Sequence, residues 1–226
     1  MKVKKLAQST LLVKNNIGGI LLIDPGNYNL EPGRLTLDDF PTADAIIITH
    51  KHADHFDINI LKSLLRRSSP EIFTNKEIKN VLLQENIKSV ILELNNKVEI
   101  AGFSIMAVKA DHIVRGENVL NFGIVVSADN SSFYNTSDTL FMDPSSLPKE
   151  TNANYLFVPI SNRGVTMDMN EAIRFAKGIN PNFIIPVHYD SLKDKEIDPN
   201  EFVKKAENVN LKAHVMNFGD EININY

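Results

Sequence analysis

The chain has 226 residues, 43% of them hydrophobic, which is enough for one well-buried core and short for two ordinary domains. Its 24 basic and 28 acidic residues are mixed along the sequence for a net charge of −4, so no field exists to concentrate nucleic acid or anionic lipid, and nucleic acid is disfavoured as a partner. The absence of cysteine removes disulfides, thiolate ligands and a cysteine nucleophile together.

The opening MKVKKLAQSTLLVKNN starts basic but turns polar at Gln8, Ser9 and Thr10 before an apolar stretch of signal-peptide length develops. It reads as one strand over residues 3–14, then a turn at 15–19 and a strand ending at Ile23 and Asp24, which together open a sheet as a hairpin. Residues 43–49 (ADAIIIT) form a β-branched apolar run too short for a helix, the pattern of a strand covered on both faces. Ile60, Leu61, Leu64 and Leu65, and then Ile78, Val81 and Leu82, recur at helical spacing on either side of a short strand at 71–74. Residues 89–94, 97–110, 119–126 and 131–137 read as successive strands of antiparallel character. In the last third, Asp168 with Glu171 predicts a capping box, with Gly178 and Pro181 as the stop, and Asp198 with Pro199 predicts a second helix start. NFIIPVH lies between these helices as a further buried strand. No run reaches the ~18 apolar residues of a membrane helix, so a cytoplasmic setting away from membrane is expected. Nothing suggests a domain boundary within residues 1–226, and the order of elements suits an α/β four-layer αββα sandwich, two mixed sheets with helices outside each.

The strand at 43–49 runs directly into His50-Lys51-His52-Ala53-Asp54-His55. On extended chain, residues i and i+2 point the same way, so His50 and His52 suit one ion, while Asp54 and His55, past the bend, address a second. A loop after a buried strand is also where α/β proteins place their chemistry. The plainer alternative is a solvated polar loop. His112 and His188 stand at ends of apolar β runs and Asp138 follows another; alone, each reads equally as a structural residue or a turn former. His214, near the C-terminus, matches no pattern and reads as structural or exposed.

Taken in order, Asp24, the H-x-H-x-D-H at 50–55, His112, Asp138 and His188 resemble the five motifs of the metallo-β-lactamase superfamily over nearly the whole chain. The resemblance implies that His50, His52 and His112 bind one divalent metal, that Asp54, His55 and His188 bind another, and that Asp138 bridges both. Asp24 would orient the ligand loop by hydrogen bonds. IDPG, SDT and PISNRGVTM followed by IPVHY are most similar to the UlaG-like branch, which includes ascorbate-6-phosphate lactonase; SDT, with Ser137, departs from the usual GDT of that branch. Zinc suits a His-rich site, and the carboxylates also admit manganese or iron.

Two close cations lower the pKa of a shared water, so the expected reaction is hydrolysis by a bridging hydroxide, with no protein nucleophile and with Asp54 also accepting a proton. The expected substrate is a small, anionic ester or lactone metabolite. Asn162 and Arg163 precede a helix start and are candidate contacts for its negative charge. Two alternatives remain: a ribonuclease Z-like phosphodiesterase, which would want a basic face, and a non-catalytic metal-binding or regulatory module, whose site would have lost ligands. A homo-oligomer is compatible with the sequence.

Overall fold

A computed structural model describes residues 1–27, 36–161, 164–190 and 197–225. Three apolar clusters separate its layers. The central one lies between two sheets, where Val3, Leu11, Leu21, Ile23 and Ile47 of one face Phe103, Ile105, Ile124, Phe157 and Ile185 of the other. Each sheet is then covered on its outer face by helices, giving the expected αββα sandwich.

Among the described residues the first sheet has the order β15-β1-β2-β3-β4-β5-β6. Its strands are β1 (Lys2–Ala7), β2 (Thr10–Lys14), β3 (Ile20–Ile23), β4 (Ala45–Ile48), β5 (Glu71–Thr74), β6 (Val90–Ile91) and β15 (Glu221–Asn223). β1 to β3 are antiparallel, whereas β3, β4, β5 and β6 run parallel through crossover connections. All four residues of β4 are buried, as a strand sandwiched on both faces requires. Helices α1 (Ile58–Leu65) and α2 (Lys76–Gln84) pack Ile60, Leu61, Leu64, Ile78 and Leu82 on the outside of this sheet. Asp57 and Asn75 cap them by accepting N–H bonds of the first turn.

The second sheet has the order β14-β13-β12-β11-β8-β7. It comprises β7 (Lys97–Ile100), β8 (Phe103–Lys109), β11 (Phe122–Ala128), β12 (Ser131–Asn135), β13 (Tyr155–Pro159) and β14 (Phe183–Val187). The antiparallel succession holds from β7 to β12, and β13 and β14 add in parallel. Outside it lie α3 (Met169–Ile179), which starts on the Asp168–Glu171 capping box, and α4 (Pro199–Glu207), which Asp198 caps. A separate ribbon of β9 (His112–Val114) and β10 (Glu117–Val119) turns at Arg115 and Gly116, both at positive φ.

Five local expectations need correction. Residues 89–94 supply β6, which joins the first sheet parallel to β5 rather than the antiparallel succession, and 97–110 divides at Ala101 and Gly102 into β7 and β8. The strand expected over 3–14 is broken at Gln8 and Ser9 into β1 and β2, and a β-bulge between Lys5 and Ala7 marks the break. α3 runs through Gly178 and stops at Asn180, which takes the left-handed cap at φ 56°. Gly178 instead permits close packing, since a Cβ there would lie 2.6 Å from Cγ of Pro144. His112 opens the β9–β10 ribbon rather than ending a strand of the main sheet. Among the described residues no helix is long and apolar enough to cross a membrane.

Candidate metal centre

The parallel strands of both sheets deliver polar side chains to one edge of the sandwich. β4 leads into His50, β14 into His188, β12 into Asp138 and β3 into Asp24. Strand ends are where apolar pairing stops and side chains can converge from distant parts of a chain. The turns are tight: Asp24, Ser137 and His188 all have left-handed backbones, with φ of 51°, 55° and 60°. Gly26 lies so close to the ligand loop that a Cβ would sit 2.1 Å from the carbonyl carbon of Asp54, which explains the glycine of IDPG.

Two groups of donors result, with Asp138 in both. His50, His52, His112 and Asp138 form the first; Asp54, His55, Asp138 and His188 form the second, and within each the ligand atoms lie within 4.8 Å of one another. In the first group, Nδ1 of His52 is 3.1 Å from Nε2 of His50 and 3.1 Å from Nε2 of His112. In the second, Nε2 of His188 lies 3.1 Å from Asp54 Oδ2 and 3.3 Å from Asp138 Oδ2, and Nε2 of His55 lies 3.4 Å from Asp138 Oδ1. All seven residues sequence reasoning put forward as metal ligands therefore meet. Asn162 and Arg163 lie outside the described residues, and His214 is exposed, its N–H donating to the carbonyl of Ile184.

Hydrogen bonds fix which ring nitrogen faces inward. Nδ1 of His112 donates 2.8 Å to the carbonyl of Val165, leaving Nε2 as a lone pair toward its group. Nδ1 of His55 donates 2.8 Å to Asp24 Oδ2, while Asp24 also accepts the N–H and hydroxyl of Thr49, each at 2.8 Å. Nδ1 of His50 lies 3.2 Å from the Thr49 hydroxyl oxygen. Ser137 Oγ sits 2.9 Å from Thr49 Oγ1 and 3.0 Å from Asn121 Oδ1, and Asn121 Nδ2 donates to the carbonyl of Asp138. Thr49, Asn121, Ser137 and the Val165 carbonyl escaped sequence reasoning, because hydroxyl, amide and main-chain partners carry no spacing signature. Gln8 escaped as well, although the polar break it makes in an apolar run was a visible signal.

Burial and charge act differently on the two groups. Burial, with the neighbouring His55, holds His50 well below the ordinary imidazole pKa, and burial also lowers His52 and His112. Burial likewise opposes charge on His55 and His188, but Asp138 and Asp54 outweigh it, holding His55 well above its ordinary value and raising His188 to about 10. Burial pushes against the Asp138 carboxylate too, and His188 and His55 overcome it and keep that group well below the usual range.

The donor set fits divalent cations. With zinc-to-imidazole bonds of about 2.0–2.1 Å, two donors of a tetrahedral site lie about 3.3 Å apart. The inward-facing pairs lie around that value, from 3.1 Å between His52 Nδ1 and His50 Nε2 to 3.9 Å between His112 Nε2 and Asp138 Oδ2. His55 Nε2 is buried with no hydrogen-bond partner among the described residues, as expected of an atom that serves as a ligand.

The chain is similar to known proteins along almost its whole length. The chain is 27% identical to a UPF0173 metal-dependent hydrolase of Nanoarchaeum equitans, across 99% of this chain and 100% of the relative. It is 29% identical to one of Methanocaldococcus jannaschii, covering 80% of this chain and 83% of that protein. A solved structure of a metallo hydrolase from the hyperthermophilic archaeon Ignicoccus hospitalis superposes with a TM-score of 0.85 at 25% identity, over 100% of this chain and 98% of the other. The model of the beta-lactamase superfamily domain matches residues 20–189, from β3 through His188. The chain therefore belongs to the metallo-β-lactamase superfamily, and the metal-dependent hydrolases of that superfamily match it along almost its whole length.

Proposed function

We propose that the chain, a metal-dependent hydrolase of this superfamily, holds two divalent cations and uses them to hydrolyse a small, anionic ester or lactone metabolite. The observation that carries this reading is the meeting of two four-donor groups on one shared carboxylate, Asp138. His50, His52 and His112 would hold one cation, Asp54, His55 and His188 the other, with Asp138 between them. Zinc suits the imidazoles best, and the carboxylates leave manganese and iron as alternatives. When bound, two cations supply Lewis acidity that activates water and polarises a carbonyl or phosphoryl oxygen.

The residues around them supply order. Asp24 and the Val165 carbonyl keep His55 and His112 in single tautomers, so no reorientation is needed before the donors engage. Asp138 is buried within both groups and its charge offsets repulsion between two cations. Asp54 takes up a proton at its carboxylate during turnover as well as serving as a ligand. Asn162 and Arg163 remain proposed contacts for the negative charge of the substrate. The choice of a small lactone or ester rests on the UlaG-like similarity of IDPG, SDT and IPVHY and on the absence of charge excess in the sequence. The same reading treats residues 1–226 as one cytoplasmic domain acting on small molecules rather than nucleic acid.

The test is a screen of lactones, phosphodiesters, thioesters and amides on metal-loaded protein, followed by single turnover in isotopically labelled water. The expected result is hydrolysis of a small anionic ester or lactone, with solvent oxygen in the product of the first turnover. Unlabelled oxygen, drawn from the protein, in the product of the first turnover would require a covalent enzyme intermediate and overturn the reading; faster cleavage of structured RNA than of any small ester would replace it with a nuclease.

A further inference from the structure

Gln8 reaches the second donor group from the first sheet, at the strand edge where β3 delivers Asp24. It lies in the turn between β1 and β2, is 3% exposed, and belongs to none of the motifs that define the site. Its Nε2 donates 2.9 Å to Asp54 Oδ2 and lies 3.0 Å from His188 Nε2. These two atoms are themselves 3.1 Å apart, so the carboxamide closes a triangle with the carboxylate and the imidazole. The main chain of Gln8 grips the same histidine, because its carbonyl accepts the His188 N–H at 3.3 Å. That grip falls where it is needed, since His188 has φ 60°, a conformation that a residue with a Cβ adopts only when its surroundings impose it. Gln8 Oε1 is buried with no hydrogen-bond partner among the described residues.

We propose that Gln8 is a positioning residue for the cation held by Asp54, His55 and His188. Its N–H fixes the rotamer of Asp54, which sits on a loop, and its carbonyl fixes the strained turn that aims His188. Among the described residues no hydrogen bond joins Gln8 to the imidazoles of the first group: His50 has the Thr49 hydroxyl beside its Nδ1, His112 donates to the Val165 carbonyl, and His52 lies against His50 and His112. Loss of the amide therefore acts on one cation and spares the other, which separates positioning from a general weakening of the fold. The proposal rests on the two-cation reading of the site.

The test compares Gln8→Met and Gln8→Ala with the parent protein, using stepwise zinc binding in competition with a coloured chelator. Gln8→Met fills the same space and keeps the main-chain grip, so it isolates the amide even if Gln8→Ala folds poorly. His52→Ala and His188→Ala assign the two dissociation constants to their positions. The expected result is a rise of about tenfold to a hundredfold in the constant that His188→Ala affects, with the other unchanged. Cobalt-loaded Gln8→Met is expected to differ from the parent in the visible bands of the same position only. Equal weakening of both positions, or of neither, in a parent that binds two cations overturns the role of Gln8 alone. A parent that binds fewer than two overturns the two-cation reading, and the role of Gln8 with it.

Discussion

The two donor groups share a carboxylate yet are built on different principles. The first is a trio of imidazoles steadied by neutral partners, a threonine hydroxyl and a main-chain carbonyl, and His52 keeps it half open to solvent. The second is enclosed and anionic: Asp54, His55 and His188 are all buried, and the carboxylate of Asp24 stands directly behind His55. A neutral trio would leave most of the charge on a cation placed there, whereas the added carboxylate of the second group would offset it. Neutral imidazoles suit zinc, and oxygen-rich surroundings extend the range toward manganese or iron. On the two-cation proposal, one position would polarise more strongly and the other would hold more firmly, with Asp138 as the joint.

The largest expected effect comes from removing the joint. Asp138→Ala takes a donor from both groups, so metal content is expected to fall from about two per chain toward about one, with activity lost; retention of two tightly held cations after dialysis, by elemental analysis, would show that the groups do not depend on a shared carboxylate. Next come His52→Ala and His188→Ala. Each removes one ligand from one group, so each is expected to abolish activity and to lower bound metal, while the exposed His214→Ala changes neither. Metal loss in His214→Ala but not in His188→Ala would break the assignment of donors. The smallest effect concerns how the joint is held. Ser137 pays for a left-handed backbone with a hydroxyl that ties Thr49 and Asn121 together beside Asp138. Ser137→Ala keeps the strain and loses the bond, at a cost of about 1–2 kcal/mol. Ser137→Gly loses the bond but also relieves the strain, so in urea unfolding it is expected to be more stable than Ser137→Ala by about 1 kcal/mol.

The ligands were legible because their chemistry restricts residue type: only imidazole and carboxylate can serve in a chain without cysteine, and the spacing at 50–55 follows from strand geometry. The strand at 43–49 and the helix caps at Asp168 and Asp198 were legible for a similar reason, since each is decided by its own neighbours. What was missed is decided elsewhere in space. Gln8 is in the turn it occupies because of Asp54 and His188, 46 and 180 residues away. Gly178 is glycine because of Pro144 on another segment, and so gave a false stop signal. Ser137 stood out only as an odd residue beside Asp138, and its purpose appears once Thr49 and Asn121 are brought to it.

The β9–β10 ribbon has a consequence for how proteins of this architecture change over time. Among the described residues it pairs only with itself, in register from His112 with Val119 to Val114 with Glu117, and it ends in a two-residue reversal at Arg115 and Gly116. His112 lies at its root and the reversal at its tip. Insertions at such a tip, two residues at a time, preserve which face each side chain points to and disturb neither sheet. The ribbon can therefore lengthen, shorten or exchange its outer residues while the histidine at its base stays in place. A lineage carrying this scaffold can vary the outer residues of the ribbon without touching the donor at its root.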